Sequence, residues 1–336
     1  MRPQHNNPKL VDLHVNGLTV PARGEFAHEV VNFSSPQLSL DQVRLATEIL
    51  VQKGTSSFLA TLVTSDPEST IRNVRLIAQA MRETWGEPIL GIHLEGPFFS
   101  KECKGAHPEQ FIREKGDIGL FRTFFEAADG AVVLTTISPA IREAASFIGA
   151  VADLGVVVSI GHHNADVRQI EEAFAAGATG VTHAGNAWSK EPASDARKNM
   201  EVAAQLLNPN AFVMVIPDGV HVDETFIKYA YRMVEWSVPG RIVWVSDASP
   251  FSGAPEGAYK GFCDETVLVG RDENKRLRTF PLTGSYLQLG ECLDVLRGMR
   301  VVPEVDVIAG AASNPLSFVE PALKRLSRYP DLTSLG

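Results

Sequence analysis

The sequence predicts an α/β fold, a (β/α)8 barrel closed by parallel strands, and three observations predict it. Eight short apolar runs alternate with amphipathic helix candidates along the whole chain. Most of the runs are near-continuously apolar, as strands must be when helices cover both faces of their sheet. Ionisable residues gather at the ends of the runs, where the mouth of a barrel would lie. A doubly wound open sheet is the alternative parallel arrangement, and the strand-end residues favour the barrel.

The runs are LVDLHV (10–15), SSFLATLV (56–63), PILGIHLE (88–95) and AVVLTTIS (131–138), followed by VVVSIG (156–161), TGVTHA (179–184), FVMVIP (212–217) and RIVWVSD (241–247). Between them, SLDQVRLATEILVQKG, AIREAASFIGAVADLG and NADVRQIEEAFAAGA carry helical periodicity, and Gly54 and Gly155 stop two of these helices. The aromatic stretches PFF, FRTFF and FIKYAYRMVEW read as core or helix faces. At 336 residues the chain exceeds an average domain, but one such barrel takes about 250 residues plus insertions. No repeat or linker divides it. The expectation is a single catalytic barrel over 1–336, its core spanning about 10–316, with a short C-terminal tail.

Composition narrows the function classes. A net charge of −9 argues against a nucleic-acid partner, which needs a basic surface. It leaves anionic small molecules open, since a phosphate needs only a few local donors. No apolar run reaches the length of a membrane span, and MRPQHNNPKL has no apolar segment of a secretory signal. A cytoplasmic protein without a membrane partner is expected. Cys103, Cys263 and Cys292 are scattered and odd in number, which suggests reduced thiols rather than disulfides or a cysteine zinc site.

The strand ends carry the chemistry. His14 and Asn16 end the first run, Glu95 the third, His162 and His163 the fifth, and His183 the sixth. Asp218 and His221 follow the seventh, and Asp247 ends the eighth. One histidine at a strand end is usually a hydrogen-bonded core or capping residue. Several imidazoles and carboxylates converging on one rim are costly to bury without a compensating ion. Glu95, His162 and His183 are therefore expected to hold one divalent metal ion, zinc or another first-row metal, with room left for a water. Asp247, on a separate strand, is placed to move that water's proton to a leaving group.

The motifs GIHLEGPFF (91–99), KGAHP (104–108), SIGHHNAD (159–166), THAGNAW (182–188), PDGVHVD (217–223), VSDA (245–248) and LTGS (282–285), in that order, resemble those of the N-acetylglucosamine-6-phosphate deacetylase family of amidohydrolases. GTSSFLATLVTSDPE (54–68) is similar to its second strand, and the resemblance covers nearly all of 10–316. It implies a metal-dependent TIM-type barrel that removes an acetyl group from an amino-sugar phosphate, a small-molecule substrate, and a homodimer. Residue by residue, it implies Glu95, His162 and His183 as metal ligands, Asp247 as acid/base, and His107 as a group polarising the acetamide carbonyl. Ala106, Asn186, Ala187, His221, Leu282, Thr283 and Gly284 would line the sugar-phosphate site.

Departures from the family pattern set further expectations. The flanking β-sandwich of the family is expected to be mostly or wholly absent. His14-Val15-Asn16 stands where two-metal amidohydrolases have His-x-His, so a second ion at His14 and Asn16 is a doubtful addition. Lys190-Glu191-Pro192 replaces Arg-Glu-Pro, and lysine offers phosphate a point charge without the bidentate fork. Arg197 or Lys198 are candidate substitutes, or all three are solvated loop charges. A neighbouring reading keeps the mechanism with another N-acyl amino sugar or amide, and a non-catalytic sugar-binding barrel is the reading from another class. His93 is expected to orient a ligand or to pack, His163 to face away, and Trp188 to pack rather than stack on a sugar.

Overall fold

The computed structural model describes residues 9–21, 28–188, 196–261 and 265–327. Its first part holds β1 (Leu10–Val15), a hairpin of β2 (Gly17–Pro21) and β3 (His28–Asn32), α1 (Leu40–Gln52), β4 (Thr55–Val63) and α2 (Pro67–Ala80). Then come β5 (Ile89–Glu95), α3 (Ile118–Ala127), β6 (Val132–Ile137), α4 (Ala144–Ala152), β7 (Val157–Ile160), α5 (Val167–Ala175) and β8 (Ala178–Val181). The remainder is α6 (Ala196–Leu206), β9 (Phe212–Val215), α7 (Glu224–Ser237), β10 (Ile242–Trp244), β11 (Gly257–Lys260), β12 (Thr266–Arg271), β13 (Leu277–Phe280), α8 (Leu289–Met299), α9 (Glu304–Ala311) and α10 (Ser313–Arg325).

Each apolar run is a strand, and together they form an eight-stranded sheet ordered β1-β4-β5-β6-β7-β8-β9-β10. Every neighbouring pair is parallel. The order follows the chain without the reversal that a doubly wound sheet needs at its switch point. The seam between β10 and β1 is drawn together by a parallel bridge between Val15 and Ala248. Asn16 N–H donates to Ala248 O at 3.0 Å, and Ser246 Oγ donates to His14 O at 3.2 Å. The result is a nearly closed barrel.

The helices begin where short polar side chains satisfy their first N–H groups. Ser39 with Gln42 and Asp166 with Gln169 form capping boxes on α1 and α5, a device that contributes roughly 1 kcal/mol per cap. Among the described residues no helix is long and apolar enough to cross a membrane.

Two additions were not foreseen. Residues 17–21 and 28–32 pair antiparallel as β2 and β3. After β10, the strands β11, β12 and β13 form an antiparallel sheet. Val267 and Val269 of that sheet pack on Phe251 and Ala254, with Val30 of β3 against them.

Residues 317–325, assigned above to a tail, complete α10, which lies across the N-terminal end of the barrel. Leu316, Phe318, Val319, Ala322 and Leu323 pack with Val11, Leu59, Val133, Met214 and Val243 from strands all around the barrel. Phe318 stacks on Phe212 at 5.0 Å and presses on Gly180, where a Cβ would come within 2.3 Å of the Phe318 ring. Arg325 donates to the carbonyls of Gly130 and Val132 at 2.8 Å and of Gly155 at 3.2 Å. These groups lie at the strand starts, so α10 is the floor.

Candidate metal and active site

The opposite rim gathers the polar strand ends. One cleft is lined by Asn16, Glu95, Ala106, His107, His162, His183, Asn186, Ala187, His221, Asp247, Leu282, Thr283 and Gly284. Every substrate-side and metal-side residue expected from the sequence is there except His14, buried against Glu95, and Lys190, which lies outside the described residues. His162, His183 and Asp247 adopt φ of 52°, 29° and 51°. Left-handed backbone is uncommon for residues with a side chain and costs on the order of 1–3 kcal/mol. It occurs here where each strand gives way to its loop. Gly284, at φ 99°, lets the Leu282-Thr283-Gly284 wall approach closely, because a Cβ there would lie 2.7 Å from Asp247 O.

Glu95 is the hub. Its Oε1 lies 2.9 Å from His183 Nε2 and 3.1 Å from His162 Nε2, and those two nitrogens are 3.2 Å apart. Its Oε2 lies 3.2 Å from His14 Nε2 and 3.5 Å from His107 Nε2. His14 Nε2 is also 3.3 Å from Asp247 Oδ1, which accepts from Asn16 Nδ2 at 2.6 Å. His14-Glu95-His183 and Glu95-His107-His162 are each groups that could hold a metal ion.

The tautomers show why a cation fits. His162 Nδ1 is 2.9 Å from Cys103 O. A carbonyl only accepts, so Nδ1 carries the proton and the Nε2 lone pair faces the Glu95 carboxylate. Acceptor facing acceptor at this range requires positive charge between them. Four ligands at about 2.0–2.1 Å from zinc would stand about 3.3 Å apart, close to the spacing here. The Glu95, His162 and His183 set therefore fits a divalent ion, and the hydrogen bond to Cys103 O is the outer contact that orients such a ligand.

Electrostatics follow the same arrangement. Burial alone would raise the Glu95 carboxyl, yet His14, His107 and His162 hold it well below the usual range. Burial lowers His162 to about 4, which keeps it neutral and able to ligate. Burial would also lower His14, but Glu95 and Asp247 raise it to about 9. Burial opposes ionisation of Asp218 too, but the charge and hydrogen bonds of His221 bring it down to about 2.

The contacts that support the site carry no legible signal in the sequence. His107 Nδ1 accepts from Thr64 N–H at 3.2 Å, which leaves the proton on Nε2. Phe99 stacks on His162 at 4.2 Å and meets His107 edge-on at 4.9 Å. Asp218 Oδ2 fixes His221 Nδ1 at 2.8 Å and accepts from Ser285 Oγ at 2.9 Å. Asp12, pushed up to about 6 by burial, accepts from the backbone N–H groups of His14 and Ser246. His93 sits edge-on to His14 at 4.7 Å, its Nε2 2.8 Å from Thr136 Oγ1. His163 faces Gln205 at 3.1 Å, and Trp188 packs near Phe226.

The amidohydrolase family model matches residues 7–241. The N-acetylglucosamine-6-phosphate deacetylase of Danio rerio is 33% identical over 222 residues, 65% of this chain and 54% of that protein. The enzyme of the same name from Bacillus subtilis strain 168 is 29% identical over 293 residues, 84% of this chain and 67% of that protein. Among solved structures, a mutant N-acetyl-D-glucosamine-6-phosphate deacetylase from Mycobacterium smegmatis, in complex with N-acetyl-D-glucosamine-6-phosphate, has a TM-score of 0.77 at 26% identity. That match covers 93% of this chain and 77% of the other. The chain thus spans about half to two thirds of the length of these two curated relatives.

Proposed function

The chain belongs to the amidohydrolase family, and we propose that it removes the acetyl group of N-acetylglucosamine-6-phosphate, giving glucosamine-6-phosphate and acetate. Glu95, His162 and His183 would hold one divalent ion, zinc. The observation that carries this reading is the convergence of Glu95 Oε1 on the Nε2 atoms of His183 and His162, 2.9 and 3.1 Å away, with Asp247 facing the same cleft. The names of the relatives supply the substrate class.

When bound, the ion supplies Lewis acidity that makes water a nucleophile near neutral pH. The protein's own groups do the rest. His107, its proton fixed on Nε2, donates to the acetamide carbonyl oxygen as negative charge develops there. Asp247 is held by Asn16 Nδ2 at 2.6 Å. It takes the proton from the attacking water and returns it to the sugar nitrogen as the C–N bond breaks. His221, fixed by Asp218, lies 3.9 Å from Asp247 Oδ2 and would position the sugar against the Leu282-Thr283-Gly284 wall.

Acetate release from N-acetylglucosamine-6-phosphate, before and after chelation and zinc restoration, tests the proposal. Release that is lost on chelation and regained with zinc is the expected result. Metal-loaded protein that releases none would overturn it. A second reading, an unphosphorylated N-acyl amino sugar, is favoured by one observation: no Lys or Arg is among the described residues lining the cleft.

A further inference from the structure

Resting on the deacetylase reading, we propose that Arg278, on β13, recognises the phosphate of the substrate. A dianionic group entering a cleft that already holds Glu95 and Asp247 needs a cation to replace its hydration. None is found among the described residues of that cleft.

A second cleft of about 440 Å³ adjoins the first, and Leu282 and Gly284 line both. Three arginines from the β12–β13 sheet border it. Two are engaged. Arg271 pairs with Glu256 at 2.9 Å and donates to Lys275 O. Arg276 pairs with Asp272 at 2.8 Å and reaches Gly219 O, which ties the sheet to the loop carrying Asp218 and His221.

Arg278 is different. It is half-buried and has no carboxylate partner among the described residues. Its Nε makes one long contact, 3.3 Å, to Thr279 O, and its guanidinium lies 4.8 Å over the Phe280 ring. Stacking holds the guanidinium face and leaves its edge N–H groups for a bidentate anion. Its positive field reaches His221 of the first cleft, where it works against protonation. A sugar with its acetamide at Glu95 and His107 and its ring against Leu282–Gly284 would present a distal phosphate toward this edge.

The test compares kcat/KM for N-acetylglucosamine-6-phosphate with that for N-acetylglucosamine in wild type, Arg278→Gln, Arg278→Lys and Lys190→Gln. The expected result is a preference for the phosphorylated sugar that falls at least tenfold in Arg278→Gln, mainly through KM, and recovers in part with Arg278→Lys. Either a preference unchanged in Arg278→Gln or an equal loss on both sugars would overturn the proposal. So would loss of the whole preference on changing Lys190 alone. Wild type that turns over both sugars equally rejects the phosphate role. Wild type that hydrolyses neither rejects the deacetylase reading, and this inference with it.

Discussion

At the mouth of the barrel, four cleft-lining residues with side chains, His162, His183, Ala187 and Asp247, sit in left-handed backbone, and the buried Nδ1 atoms of His14 and His183 lack a hydrogen-bond partner among the described residues. At the floor, Phe318 fills the space that Gly180 leaves, and the Arg325 guanidinium satisfies three strand-start carbonyls. One end accepts strain and unpaired polar groups to hold reactive side chains apart from water. The other is packed and satisfied, and supplies stability without chemistry. The contrast teaches that a barrel separates the two tasks along its axis.

The largest expected effect lies at the mouth. Asp247→Asn should lower kcat about 10³-fold, with metal content and thermal midpoint unchanged. Metal analysis beside steady-state rates checks this, and surviving turnover would remove Asp247 from its role. At the floor the reverse is expected. Phe318→Ala should cost about 3–5 kcal/mol of unfolding free energy while kcat per folded molecule stays within about twofold. A parallel collapse of kcat would break the division between the two ends.

The smallest effect sharpens the comparison within the mouth. Asp218 is depressed to about 2 from an ordinary 3.8, so its contribution, about 2 kcal/mol, is full above pH 3.8. It is lost as pH falls through 2. His221 is raised from 6.5, so its contribution is present below pH 6.5 and is lost as pH rises through its folded pKa. The stability gap between wild type and Asp218→Asn should therefore be widest from about pH 4 to 6.5 and narrow on either side. Urea unfolding at pH 3, 5.5 and 8.5 measures it, and a gap constant with pH would dismiss the pair as a stabilising unit.

The eight strands and the convergence at the mouth were legible because barrel burial forces continuous apolar runs and places ionisable residues at their ends. What supports the site was not. Cys103 orients His162 through a backbone carbonyl, which any residue could supply. Phe99 reads as core and is core, yet it also clamps His162 and His107. The β11–β13 sheet was hidden because its strands are short and half exposed, and the sequence pattern resembles a long loop. The floor helix was read as a tail because its charged stretch obscures the apolar face of Phe318, Val319, Ala322 and Leu323.

The position of α10 also bears on how the chain is made. Synthesis from the N-terminus completes all eight strands before residue 313 exists. Until α10 emerges, Val11, Leu59, Val133, Met214 and Val243 have no cover at the strand starts. A ribosome pausing near Met299 would hold a nearly finished barrel with an open apolar end, a species prone to association with other nascent chains.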